Sequence, residues 1–363
     1  MRLGVGAALV DGALVQGDVE IADGVVAAAG LASPNGRGVA VPGFIDLQVN
    51  GFAGVDFASA EPDGYRRGGE ALLATGVTAF QPTFITAPEA ELLASLAAVP
   101  ESGNGPRILG AHLEGPFLAP TRLGTHLAGG RSDPDPALLL RLLDAGPVRQ
   151  VTLAPELEGA LELVDLLVER GTTVSCGHTD ATADEANRAF DRGARTVTHL
   201  FNAMRVGSPR APGIALAALA REDVVVQMIL DDHHLAPETA LVAWRAAAGR
   251  LALVSDAVAA AGMGDGEYWL GSVRLFSSDG AVRREDGTLA GTALTMIEAV
   301  RSLHGLGASF EEAVDAATRV PARIARLPDL GRLLVGHAAD VVVVDDRLEI
   351  QRVLVAGNTR VAA

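Results

Sequence analysis

Between Val41 and Asp256 the chain repeats one local pattern, a short run rich in Val, Ile, Leu and Thr followed by a stretch with apolar residues at three- and four-residue spacing. Eight such runs read in order: Val41 to Val49, Val77 to Ile85, Arg107 to Glu114, Gln150 to Pro155, Thr172 to His178, Arg195 to Phe201, Val224 to Leu230, and Leu251 to Ser255. Most are near-continuous apolar runs, the pattern of parallel strands covered on both faces. The intervening segments carry helical spacing, as in Leu161, Leu163, Val164, Leu166, Leu167 and Val168, and are often introduced by Thr, Asp or Pro. Strand then helix, eight times over, predicts an α/β fold of (β/α)8 type, a closed TIM-type barrel. A doubly wound open sheet shares the alternation, and the count of eight favours closure.

A barrel takes about 250 residues, so a chain of 363 leaves material at both ends. Residues 1–40 read as short strands punctuated by glycine. Near the other end, Asp340 to Val344 and Gln351 to Val355 are strand runs, with Gly357 and Asn358 in a turn. Neither end can bury a core alone. The expectation is that 1–40 and 331–363 pair as one small β-sandwich beside a catalytic barrel spanning 41–330. The polar, β-rich stretch 266–289 reads as a hairpin insertion ahead of a helix from Thr292 to His304.

The formal charge of -16 argues against a nucleic-acid or anionic-membrane partner, because such surfaces recruit clustered cations. Apolar runs are broken well before the roughly 20 residues of a membrane span, and no early segment has signal-peptide character. The cytoplasm is the expected compartment, in keeping with a single cysteine, Cys176, that has no intramolecular partner. The chain contains no lysine. That excludes Schiff-base and pyridoxal phosphate chemistry, a P-loop lysine, and a carbamylated lysine bridging two metals, since arginine stays protonated and substitutes for none of them.

Aligned by their C-terminal ends, the eight runs finish on polar residues: Gln48 and Asn50, Thr83, Glu114, Glu156, His178, His199, His233 and His234, and Asp256. In a (β/α)8 barrel these ends line one mouth, where active sites are built. Two imidazoles and a carboxylate are a donor set used for catalytic zinc with an open position. Glu114, His178 and His199, on the third, fifth and sixth runs, are the candidate trio for one divalent metal ion per subunit: zinc, with iron, cobalt or manganese open to the same donors. His112, His304 and His337, taken singly, read as hydrogen-bonded structural histidines, and Cys176 as a small core residue. Asp256 is the candidate proton carrier for hydrolysis, with Glu156 a weaker alternative placed in a supporting loop.

These landmarks resemble the N-acetylglucosamine-6-phosphate deacetylases of the amidohydrolase superfamily over nearly the whole chain. They are Pro42-Gly43-Phe44-Ile45-Asp46, His112-Leu113-Glu114-Gly115-Pro116, Gly124-Thr125-His126, Leu153-Ala154-Pro155-Glu156, Gly177-His178-Thr179, Thr198-His199-Leu200-Phe201-Asn202-Ala203-Met204, Ser255-Asp256-Ala257, Gly291-Thr292-Ala293-Leu294-Thr295-Met296 and Gly336-His337-Ala338-Ala339-Asp340. The resemblance implies that Glu114, His178 and His199 hold the metal and that Asp256 is the general acid/base. It implies too that Asn202 and Ala203 present backbone groups to the substrate, and that His126, Arg210 and His234 contact a sugar phosphate, one of them across a homodimer interface. Gln48 and Asn50 stand where many relatives carry a metal-binding His-x-His pair, and neither amide is a good transition-metal ligand. One metal is therefore expected. The substrate implied is N-acetyl-D-glucosamine 6-phosphate, with another N-acetyl amino-sugar phosphate or N-acyl compound as the enzymatic alternative and a catalytically silent binding barrel as the non-enzymatic one.

Overall fold

The computed structural model describes residues 1–33, 35–101, 103 and 105–362. Its centre is a ring of eight parallel strands in sequence order: Phe44–Val49, Val77–Phe84, Ala111–Glu114, Val148–Leu153, Thr173–Cys176, Thr196–Val197, Val225–Met228 and Leu251–Leu253. The eighth returns to the first through a parallel bridge between Val49 and Ala257, with Asp256 N donating to Gln48 O at 3.0 Å. All of the expected runs contribute to this ring.

Helices alternate with the strands and lay their apolar stripes on the ring, as Leu163, Val164 and Leu167 do from Ala160–Glu169. Local sequence starts some of them unaided. Thr182 and Ser309 each form a capping box with the glutamate three residues on, Glu185 and Glu312. No helix among the described residues is long and apolar enough to cross a membrane.

The run expected from Val41 to Val49 is divided. Val39–Pro42 belongs to a different sheet, and the barrel strand starts at Phe44. The break falls at Gly43, where an added Cβ would lie 2.0 Å from Thr78 Oγ1. Only a residue without a side chain passes so close to the second strand.

Val39–Pro42 sits inside a six-stranded sheet with the order 13–16, 7–10, 39–42, 341–344, 350–355 and 358–362. Strands Asp18–Ala22 and Val25–Leu31 form a separate pair, and Val5, Val19, Ile21, Val26, Leu333, Val341 and Leu354 share a core apart from that of the barrel. Arg107, just ahead of the third barrel strand, joins this unit to the barrel through both Asp340 carboxylate oxygens, at 2.6 and 3.1 Å. The stretch read as one hairpin is a four-stranded antiparallel meander, Gly266–Leu270, Val273–Ser278, Ala281–Arg283 and Leu289–Thr292. It has its own core of Val258, Leu270, Val273, Leu275 and Val282. Its last strand touches the mouth, with Thr292 N donating to Asp256 O at 3.0 Å. The helix that follows runs from Met296 to Gly305.

Candidate active site

At the C-terminal ends of the strands lies a cavity of about 290 Å³ lined by Glu114, His126, His178, His199, Asn202, Ala203, His234 and Asp256, among others. Eight of the nine site residues named from sequence therefore meet there. The ninth, Arg210, lies at the tip of a short hairpin formed by Gly207–Ser208 and Ala211–Pro212, exposed and outside this lining.

One ligand atom from each of Glu114, His178 and His199 falls within a 4.8 Å cluster, and all three residues are buried. The His199 Nε2 is 2.9 Å from Glu114 Oε1, and the His178 Nε2 is 3.3 Å from the same oxygen and 3.1 Å from His199 Nε2. The Nδ1 of His178 lies 2.8 Å from the Arg122 carbonyl, which can only accept. Nδ1 must therefore carry the proton in the neutral ring, and Nε2 turns a lone pair into the cluster. Converging lone pairs and a buried carboxylate need a positive charge between them, so the donor set fits a divalent ion. Burial opposes ionisation of Glu114, but the imidazoles of His126, His178 and His199 crowded around it outweigh that and hold the carboxyl well below its ordinary range.

His126 completes the wall, its Nε2 3.5 Å from Glu114 Oε2. Its Nδ1 accepts the Thr86 backbone N–H at 3.2 Å, which leaves the proton of the neutral ring on Nε2, facing the cavity. Burial, reinforced by His178, lowers this imidazole to about 4, so it is a neutral donor at pH 7. Asp256 takes a 2.7 Å hydrogen bond from Asn50 Nδ2. Burial first, and the Glu114 charge second, push Asp256 up to about 8.

Backbone strain concentrates here. His178, His199, Phe201, Ala203 and Asp256 all have left-handed φ values, between 31 and 74°. Such conformations cost non-glycine residues free energy and persist where surrounding structure enforces them, commonly at functional sites. The sharp turns aim side chains from strand ends into the mouth.

Four residues have roles here that went unread in the sequence. Gln48 Nε2 donates to Glu114 Oε1 at 3.1 Å, and Asn50 fixes Asp256, so the two amides serve as hydrogen-bond donors. Asp231 lies 2.7 Å from His234 Nδ1 and accepts the backbone N–H groups of His233 and His234. Burial works against its ionisation, yet these bonds hold it below the usual carboxylate range. Arg122 lines the cavity while pairing with Asp180 at 2.7 Å. Glu156 does not line the cavity; it accepts Thr179 Oγ1 and Asp180 N, each at 2.6 Å, and so braces a loop. His234 lines the cavity and the exposed His233 does not. Cys176 is fully buried, which pushes its thiol up and leaves it inert.

The amidohydrolase family matches residues 39–360. The chain is 35% identical over 336 residues to an N-acetylglucosamine-6-phosphate deacetylase from Vibrio furnissii, covering 88% of this chain and 82% of that one. It is 33% identical over 360 residues to an N-acetylgalactosamine-6-phosphate deacetylase from Escherichia coli O157:H7, covering 96% of each. Among solved structures it is similar to a mutant of N-acetyl-D-glucosamine-6-phosphate deacetylase from Mycobacterium smegmatis in complex with N-acetyl-D-glucosamine-6-phosphate. That match has a TM-score of 0.95 at 36% identity and covers 100% of this chain and 99% of the other.

Proposed function

We infer, from the premise that the chain belongs to the amidohydrolase family and within it to the N-acetylglucosamine-6-phosphate deacetylases, that it hydrolyses N-acetyl-D-glucosamine 6-phosphate to D-glucosamine 6-phosphate and acetate. The observation that carries this reading is the convergence of Glu114, His178 and His199 in one cavity with Asp256 and a neutral His126. We assign to the trio one divalent ion per subunit, zinc ahead of iron, cobalt or manganese, on the strength of its N/O donor set. Bound there, the ion supplies Lewis acidity to water and to the acetamide carbonyl.

The remaining work falls to the chain's own groups. Asp256, steadied by Asn50, takes a proton from water as the water oxygen adds to the carbonyl carbon. It returns that proton to the sugar nitrogen as the C–N bond breaks, releasing acetate and the free amine. Burial raises the Asp256 carboxyl and a cation held by the trio would lower it again, which keeps its proton exchange near neutral pH, where general acid–base catalysis is most effective. His126 Nε2–H donates to the carbonyl oxygen as negative charge develops on it. His234, held by Asp231, and the backbone at Asn202 and Ala203 take the phosphorylated sugar. Arg210, outside this lining, fits the scheme as a cation supplied by the second chain of a homodimer. The single buried cysteine supports a cytoplasmic setting.

Metal analysis together with acetate release tests the reading. The purified chain is expected to hold about one metal per subunit and to release acetate from N-acetylglucosamine 6-phosphate. Asp256→Asn should keep the metal and lose at least about 100-fold in kcat. Normal turnover in that variant, or no acetate from the metal-loaded chain, would sink the assignment. A second reading, N-acetylgalactosamine 6-phosphate as preferred substrate, draws on the relative that matches nearly end to end, and kcat/KM on the two epimers decides between them.

A further inference from the structure

The end of the barrel away from the active site carries another cavity, of about 540 Å³, whose lining includes Arg319, Arg323, Arg326 and Arg332. It lies at the N-terminal ends of the strands. Gly249, just ahead of the eighth strand, borders it, and an adjoining hollow of about 180 Å³ reaches Thr173 and Val225 while sharing Arg323 and Arg326.

Four guanidinium groups in one hollow stand out in a chain of net charge -16. Two are compensated, Arg319 by Asp315 and Arg332 by Asp11 at 2.7 Å. Arg323 donates to the Gly249 carbonyl at 3.3 Å. Among the described residues, neither Arg323 nor Arg326 has a carboxylate within ion-pair distance. The carboxylate that lines the adjoining hollow, Asp223, is already held by Arg221 at 2.8 Å and Arg195 at 3.3 Å. Arg323 is exposed on its outer side, and the partial burial of the rest, followed by the nearby Arg319, makes it a weaker base than an ordinary arginine.

Arg326 supplies an independent observation. It follows the helix Arg319–Ile324 in a closing turn where Leu327 N reaches back to Ala322 O at 2.9 Å and Arg326 N to Arg323 O at 3.3 Å. The residue at this position of such a turn is left-handed and is usually glycine, and Arg326 has φ 56°. A guanidinium thus stands at the rim of this cavity on a backbone conformation that favours glycine.

We propose that this cavity is a binding site for an organic phosphate. Arg323 and Arg326 take the phosphate oxygens, for which planar guanidinium donors are suited. Val320, Leu327, Pro328 and Leu330 wall off an apolar or planar body, in a volume typical of small-molecule sites.

The test uses the full-length, metal-loaded chain, titrated calorimetrically with adenosine monophosphate and with inorganic phosphate. Adenosine monophosphate should bind at least tenfold more tightly than phosphate, because only it has a body to cover the apolar wall. Arg326→Gly should weaken nucleotide binding at least tenfold while melting no lower than the parent, since glycine suits the turn. Arg323→Gln, at an exposed side chain, should weaken it as much. Any binding at the active-site phosphate subsite is common to all three chains and cancels. Unchanged nucleotide affinity in both variants, equal affinity for nucleotide and phosphate, or a lowered melting temperature of Arg326→Gly with binding intact would overturn the proposal.

Discussion

Asp256 and Glu114 share one cavity, but their surroundings drive the two carboxyls apart. Burial lifts Asp256 to about 8, whereas three imidazoles overcome burial and hold Glu114 far below its usual range. Such separation gives one group a permanent charge and the other a movable proton. A third carboxyl gives a pH test. Asp46 is fully buried and raised to about 6, burial outweighing its bonds from Ser255 and Gln48. The folded chain therefore binds this proton more tightly than the unfolded chain, so the associated stability is fully present below about 4 and is lost as pH rises through about 6. Between pH 4 and pH 7.5 the denaturation free energy of Asp46→Asn should gain on that of the parent by ~3 kcal/mol; parallel urea curves at the two pH values would contradict this. The trio and Asp256 were legible in the sequence because each ends a strand run. The partners that orient them were not. Asn50 and Asp256 are 206 positions apart, and no local pattern announces which amide will approach which carboxylate.

At the scale of elements, the strands were readable because a ring buried on both faces demands apolar runs, and all eight runs placed a strand in the ring. Their ends were harder to read. Nothing in Val39-Ala40-Val41-Pro42 differs in hydropathy from Phe44-Ile45, yet the two pieces serve different sheets, and the reason is the approach of Thr78 to Gly43. Gly43→Ala should consequently cost ~1–3 kcal/mol in stability, the range for forcing extra atoms into packed structure. A midpoint equal to that of the parent in a denaturant titration would show that the chain yields there at no cost. The meander was under-read for a related reason. A single hairpin accounts for one polar turn at Ser277 to Gly280, whereas the adjacent strands are short and half-exposed, with burial alternating along Val273–Ser278. Such strands carry less of the apolar signal that marks the barrel.

For the molecule as a whole, the cavity is built by one chain except for the cation that Arg210 is proposed to bring from a second. That arrangement makes a sharp prediction. Arg210→Ala alone should raise KM more than it lowers kcat, and Asp256→Asn alone should be nearly inactive. Mixed and reassembled, the two chains should regain activity at low substrate, since some pairs then join an intact Asp256 to an intact Arg210. A mixture no more active than the sum of its parts would place Arg210 within its own subunit's site or outside the chemistry altogether. The two ends of the chain impose a further condition. Val39–Pro42 is flanked in its sheet by 7–10, available at once, and by 341–344, which pairs Val342 with Val41. During synthesis the second neighbour arrives roughly 300 residues later, which at ~5–20 residues per second is ~15–60 s. Until then Val39–Pro42 is an open edge on the strand that leads into the barrel, and open edges invite wrong partners. A transcript cut short before codon 341 would therefore yield a polypeptide whose first barrel strand is tethered to an unfinished sheet, a substrate for cellular proteolysis in place of a weakened enzyme.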